Sequence, residues 1–474
     1  MKRQSWWTAP IAAGALAAML FSRVLPVSAQ VTEKPANQPG APSHEGSLWQ
    51  RDVLTGDWGG LRTALEEKGL KLGANEIGEM LGNVTGGIKR GVVFEGRLEM
   101  LVDLDLDKAV GWSGATFHAN AYQIHGRGLS ANDLGNNILT ASGIEATRAT
   151  RLFDLWLQQE FLGGSLSARI GQLAADDEFF VSEYAANFVN STFGWPGILA
   201  AILPSGGPAD PLATPGARIK LAPTESLSFA AAIFNGDPAG AGAGNPQLRD
   251  PSGTSFRVSD GAFVIGEAAY ALNQEKDAAG LPGTYKLGGW YHTGRFADQH
   301  FNSNGRSLAD PAGSGVASLH RGDFGFYAIA DQLAWRVPGT TDNGLGIFLR
   351  LAGNPSDRNL VDAYVDGGVN YKGLFPERDD DVFGIAVGFA RISDATSARD
   401  RDASRFAGAS GPVRDFETVV EITYRAQLAP WWSLQPDLQY IFHPGGSIAD
   451  PGDPRGIHPI RDALILGARS AITF

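Results

Sequence analysis

Apolar and polar residues alternate along most of the chain with a period of two. The clearest run is 94–106, where Phe94, Leu98, Met100, Val102, Leu104 and Leu106 alternate with Glu95, Arg97, Glu99, Asp103 and Asp105. An alternation sustained over more than about ten residues exceeds what a solvated strand needs and matches a tilted strand crossing a membrane. The pattern recurs sixteen times, at about 70–81, 91–106, 114–125, 151–162, 165–173, 216–222, 226–234, 262–272, 284–294, 323–336, 343–352, 359–371, 381–391, 415–428, 433–443 and 462–474.

The connections sort by parity. Those after even-numbered strands are short, as at Gly163-Gly164, 222–225 and 429–432. Most after odd-numbered strands are long: 126–150, 174–215, 235–261, 295–322, 392–414 and 444–461. Short periplasmic turns alternating with long outer loops are the topology of an outer-membrane barrel, and an even strand number returns both ends to the periplasm. The expected fold is therefore all-β: a single 16-stranded antiparallel transmembrane β-barrel over 70–474. Trp112, Trp335, Tyr371, Trp431 and Trp432 sit near strand ends, where an interfacial girdle needs aromatics.

Ahead of the strands lie three further segments. Residues 1–29 read as an export signal: Lys2 and Arg3, then the apolar run IAAGALAAMLF, then Val27-Ser28-Ala29 as a small-residue cleavage site. Residues 30–53 are polar, Pro-rich and largely aperiodic, the composition of a disordered linker. Within 54–69, TGDWGGLRTALEEKG predicts one short periplasmic helix, with Asp57 as cap, Trp58, Leu61 and Leu65 on one face, and Gly69 as its stop.

Composition narrows the function. The 474 residues contain no cysteine, which excludes disulfide frameworks, thiolate metal sites and cysteine nucleophiles. A mean hydropathy of −0.11 excludes a bundle of membrane helices but suits a barrel, where a lipid-facing row averages with a lumen-facing one. The net charge of −12, which becomes −15 on loss of Lys2, Arg3 and Arg23 with the signal, disfavours nucleic acid as a partner. No H-E-x-x-H, G-x-S-x-G or phosphate-binding loop is present, the eight histidines lack ligand spacing, and nothing calls for a cofactor or an enzyme. Asp103-Leu104-Asp105-Leu106-Asp107 starts like a calcium loop but has Lys108 where the glycine should be, and it lies in an alternating strand. Arg321-Gly322-Asp323, an adhesion tripeptide in some proteins, falls at the start of a strand.

Several blocks resemble one family: LTGDWGGLRTALEEKG, IHGRGLS, RIGQLAADDEFFVS, STFGWP, LPSGGPADPLATPGARIK and FNGDPAG. From about residue 54 to Phe474, in this order, they resemble the OprB-type carbohydrate-selective porins. The resemblance implies a sixteen-stranded outer-membrane barrel with a short periplasmic helix. It also implies a pore narrowed by inward-folded loops, an arginine-bearing constriction, and passive diffusion of glucose and related sugars. The implied partners are mono- and small oligosaccharides, outer-membrane lipid, and the barrel-assembly machinery, met through the last strand ending in Phe474. Whether barrels associate as homotrimers is left open.

A sugar pore needs planar donors and acceptors for hydroxyls and aromatic rings for the sugar face, held to weak affinity so that the solute leaves. With the apolar face to lipid, the lumen-facing candidates are Glu95, Arg97, Glu99, Asp154, Trp156, Arg169, Trp290, Arg350, Glu421 and Arg425. In this reading Phe153, Leu155 and Leu157 face lipid opposite Asp154 and Trp156. Segment 174–215 lacks alternation and carries Phe179, Phe180, Phe193 and Trp195; so much aromatic surface on one outer loop is expected to fold into the barrel. Asp176 and Asp177 would then face arginines across the pore. Polar lumen residues that only balance charge, a barrel without transport (adhesin or enzyme), a secreted lectin or glycosidase, and an anion-selective porin are the competing readings.

Overall fold

The computed structural model describes residues 44–145, 147–274, 278 and 280–474. The export signal and the first part of the linker lie outside the described residues. Sixteen strands, each hydrogen-bonded antiparallel to its sequence neighbours, close into one barrel. They are β1 (Leu70–Gly87), β2 (Gly91–Asp105), β3 (Ala115–Gly126), β4 (Ala149–Phe161), β5 (Leu166–Leu173), β6 (Thr214–Leu221), β7 (Leu227–Asn235), β8 (Ala262–Leu272), β9 (Gly283–Asn302), β10 (Ala317–Arg336), β11 (Gly344–Gly353), β12 (Val361–Lys372), β13 (Val382–Ile392), β14 (Phe416–Ala429), β15 (Trp432–Phe442) and β16 (Arg461–Thr473). The seam is β1 against β16, from Asn75 opposite Thr473 to Gly87 opposite Arg461.

The distribution of polarity is the inverse of a soluble protein. On β11, Ile347, Leu349 and Leu351 are exposed while Phe348 and Arg350 between them are buried. On β14 and β15, Glu421, Gln435, Asp437 and Gln439 point inward and Ile422 and Leu434 outward. Such a wall is stable only with hydrocarbon outside, and closure leaves no strand edge unpaired there.

Two β-bulges explain where the alternation reading stops short. Between the pairs Ala119–Leu155 and Ala121–Leu152, β4 has one residue more than β3. The phase slips, so Phe153, expected to face lipid, is buried and stacks on Tyr122 at 4.7 Å. Between Arg321–Arg295 and Asp323–His292, β9 likewise gains one residue. Alternation breaks there, and the hairpin runs on to Asn302 and back from Ala317, well beyond 294 and 323.

The N-terminal segment packs at the seam. Helix α1 spans Leu61–Glu67 after a single 3₁₀ turn. Asp57 accepts hydrogen bonds from Thr63 N and Oγ1, at 2.9 and 2.8 Å. The buried residue is Arg62, not the Trp58 and Leu61 face, because Arg62 donates to Phe474 O and Thr55 Oγ1 at 3.0 and 3.2 Å. Residues 44–53, read as linker, are held as well: Trp431 Nε1 donates to Leu48 O at 2.7 Å, and His44 lies between Asp52 and Glu66.

Candidate functional site: a loop-narrowed barrel interior

The connection between β5 and β6 (174–213) runs inside the barrel along the inner wall from β8 to β15. Its backbone is held by inward side chains in succession. Glu267 accepts from Phe180 N at 3.1 Å, and Lys286 donates to Val181 O at 2.8 Å. Asp331 takes Ser182 Oγ and Glu183 N at 2.5 and 3.0 Å. Asn370 and Gln435 donate to Tyr184 O and Asn187 O, both at 2.8 Å. Glu421 accepts from Val189 N and Asn190 N at 2.6 and 2.9 Å. Phe179, Phe180, Phe188 and Phe193 are buried beneath it. Small inward wall residues leave room: a Cβ at Gly384 would come within 2.9 Å of the Phe188 ring, one at Gly388 within 3.1 Å of Thr192, and one at Gly346 would overlap Tyr184.

A second connection, between β3 and β4, folds inward too. Leu139 N donates to Glu417 at 2.7 Å, Gln439 donates to Ala141 O at 2.8 Å, and Ser191 N donates to Thr140 O at 3.1 Å, joining the two loops. Its apolar residues Leu129, Leu134, Ile138 and Leu139 are buried with those of the longer loop.

Opposite this filled side, the wall from β2 to β6 carries a ladder of cations, rings and acids. Arg97 lies over the Tyr122 ring at 4.5 Å and is ion-paired with Asp210, which the long loop supplies. Arg169 lies over Trp156 at 3.8 Å, and Trp156 stacks on His118 at 4.8 Å. His118 in turn meets Asp103 at 2.6 Å. Arg169 and Arg218 both contact Glu178 Oε1, at 3.1 and 2.6 Å, and both donate to Gln158. Cation–π stacking and charge pairing together fix the guanidinium planes.

The remaining predicted residues have distinct places. Glu99 accepts from Asn120 and Asn75 at 2.9 and 3.3 Å. Glu95 is fully buried, paired in register with Glu79. Asp154 is buried, with its backbone N donating to Asn120 at 2.7 Å. Asp176 accepts from Asp210 N at 3.0 Å, and Asp177 neighbours Asp154 and Arg169; withdrawal from water raises both loop carboxyls above their ordinary range. Trp290 points inward but packs on Phe263 at 6.0 Å. Arg350 has no exposed surface: it pairs with Asp366 and donates to Phe180 O, Gly194 O and Thr192 O at 3.1, 3.0 and 2.7 Å. Arg350 and Glu421 are thus covered by the loop they hold, not bare to the lumen. Arg425 lines a cavity of about 400 Å³ near the short turns, with Lys372, Asp342 and Trp432.

Alternation alone placed Arg97, Trp156 and Arg169 on the inward face, where the structure has them. Arg218, between Ala217 and Ile219 on β6, obeys the same rule and was within its reach. Glu178 and Asp210 were not, because they sit on an aperiodic loop whose path is set by contacts far away in sequence. Within the D-x-D-x-D run, Asp105 caps a short turn by accepting from Asp107 N at 3.0 Å, and among the described residues no acid or histidine cluster is arranged to hold a metal.

Known proteins match this chain over most of its length. The carbohydrate-selective porin, OprB family, matches residues 89–474. The chain belongs to that family. Porin B of Pseudomonas aeruginosa is 27% identical over 444 residues, covering 89% of this chain and 91% of that protein. The high-pH structure of Pseudomonas putida OprB superposes with a TM-score of 0.79 at 24% identity, over 90% of this chain and all of that one. The low-pH structure gives 0.55 at 20% identity, over 90% and 99%. This porin is accordingly a sugar channel of the bacterial outer membrane, and its family is one of channels.

Proposed function

We propose that the pore passes glucose and related small sugars by passive diffusion, and that the ladder of Arg97, Tyr122, Trp156, Arg169 and Arg218 selects them. The observation that carries this is the delivery of Glu178 and Asp210 by one inward loop to arginines already stacked on aromatic rings. The guanidiniums offer donors to hydroxyls and the acids offer acceptors, while the buried rings of Tyr122 and Trp156 hold Arg97 and Arg169 in place. Pairing every arginine with an acid lowers the local field, which favours neutral solutes over ions and keeps affinity weak enough for release. Glu95, Glu99, Asp154, Asp176 and Asp177 complete the polar wall in this reading, and Arg425 lines the exit.

The test is swelling of liposomes containing the wild-type porin or R97A/R169A, with glucose, a disaccharide and charged solutes. Faster disaccharide entry and weaker discrimination are expected for the variant. Identical glucose-to-disaccharide ratios in the two proteins would overturn the assignment.

Two further roles belong to the same proposal. Residues 1–29 act as the export signal. Strand β16, with Leu466 outward and Phe474 at its end, is the segment that the assembly machinery engages in bringing the barrel into outer-membrane lipid.

A further inference from the structure

Beyond the pore, Arg295 on β9 and Arg321 on β10 are direct cross-strand partners on the outward face of the barrel. Both are exposed, and among the described residues neither side chain forms an ion pair or a hydrogen bond. Like charges directly opposite on one sheet face repel. Inside the barrel, Arg169 and Arg218 form the same kind of pair and share Glu178, whereas no carboxylate serves the outer pair. Two acids of this region are committed elsewhere: Asp357 to Arg358 at 2.8 Å and Asp298 to His320 at 2.8 Å. Asp323 turns fully inward at the bulge, so the Arg321-Gly322-Asp323 tripeptide is split across the barrel wall.

The height of the pair points to its ligand. On the same outward face, nearer the membrane centre, Tyr291 and Phe324 are cross-strand partners, and Phe326 follows; all three are exposed. Aromatic side chains in that position mark the interface between hydrocarbon and headgroups. Arg295 and Arg321 lie just beyond it on the side of the long connections, the outer side, where headgroups of the outer leaflet stand.

We propose that Arg295 and Arg321 clamp a phosphate of a phosphorylated glycolipid headgroup in the outer leaflet. Two planar guanidiniums bind a phosphate through paired N–H donors, and a dianion between them removes their mutual repulsion. A free phosphate is disfavoured because the clamp faces the lipid-side wall above an aromatic belt, not the lumen or the loop tips. The inference rests on membrane placement and is independent of which sugar the pore selects.

The experiment uses the full-length porin in detergent, as wild type, R295Q/R321Q and R295K/R321K. Diphosphorylated lipid A, fully dephosphorylated lipid A and inorganic phosphate are added, and unfolding temperature and bound lipid by native mass spectrometry are read. The diphosphorylated lipid should raise the unfolding temperature of wild type, R295Q/R321Q should lose most of that rise, and R295K/R321K should keep part of it. Equal shifts in wild type and R295Q/R321Q would overturn the proposal, as would an equal effect of the dephosphorylated lipid. An equal effect of inorganic phosphate would overturn the lipid assignment and leave an adventitious ion only. Glucose swelling should be unchanged in R295Q/R321Q, since both side chains point away from the lumen. If that variant fails to assemble, R295K/R321K against wild type carries the comparison, and a dephosphorylated lipid as effective as the diphosphorylated one still overturns it.

Discussion

Arg169 and Arg218 stand directly opposite each other on β5 and β6, and both close on a single carboxylate oxygen, Oε1 of Glu178, at 3.1 and 2.6 Å. Neither strand can supply that acid. The loop between them does, so loop docking and charge balance on the pore wall are one event. Replacing Glu178 with Gln leaves two facing guanidiniums without their counter-charge. Breaking such a largely buried arrangement costs about 3–5 kcal/mol of docking free energy. E178Q should show a more anion-selective reversal potential in a salt gradient and more frequent current fluctuations. An unchanged reversal potential would count against the shared role of Glu178.

Arg350 is the strongest single tie of the long loop, with Asp366 on one side and three loop carbonyls on the other. Arg350→Met keeps its bulk but leaves Asp366 buried without its partner, a loss of about 3–5 kcal/mol. The loop should undock, giving larger single-channel conductance and new protease cleavage within 180–200. Deleting residues 180–200 should raise conductance further. A deletion with wild-type conductance would mean that the loop does not narrow the pore.

Gly346 lies under the Tyr184 ring, where a methyl group would overlap it. Gly346→Ala overpacks this contact, at a cost of about 1–3 kcal/mol. The expected result is a lower unfolding temperature with the barrel still formed. Gly353→Ala, on the same strand β11, where a Cβ meets nothing closer than 3.7 Å, is the matched control.

Glu145, on the inward connection between β3 and β4, receives hydrogen bonds from Ser130 N and Oγ. Withdrawal from water, aided by the nearby Glu79 carboxylate and opposed by the Ser130 bonds, pushes its carboxyl up to about 7. A carboxyl with a raised folded-state value keeps its proton in the folded protein over pH values where the unfolded chain has lost it. Its ionisation therefore weakens docking progressively as pH rises from the ordinary glutamate range through about 7. Proteolysis of 128–148 should increase between pH 5 and pH 8, and Glu145→Gln should flatten that dependence. A variant with an unaltered pH profile would exclude Glu145 as its source.

Barrel architecture was legible because a membrane wall imposes a strict local rule: every second side chain meets hydrocarbon, so period and loop parity are written residue by residue. That rule reached Arg97, Trp156 and Arg169, and failed wherever a bulge shifted its phase, at Phe153 and beyond 294 in β9. It also could not separate the inward residues of the β2–β6 ladder from those, such as Arg350 and Glu421, that lie under the long loop. Only the tertiary structure decided this. Where residues 174–213 go depends on bonds to Glu267, Asp331, Asp366-paired Arg350 and Glu421, 87 to 232 positions away. Local periodicity carries no information about such contacts. They bring Glu178 and Asp210 onto Arg97, Arg169 and Arg218 inside the barrel.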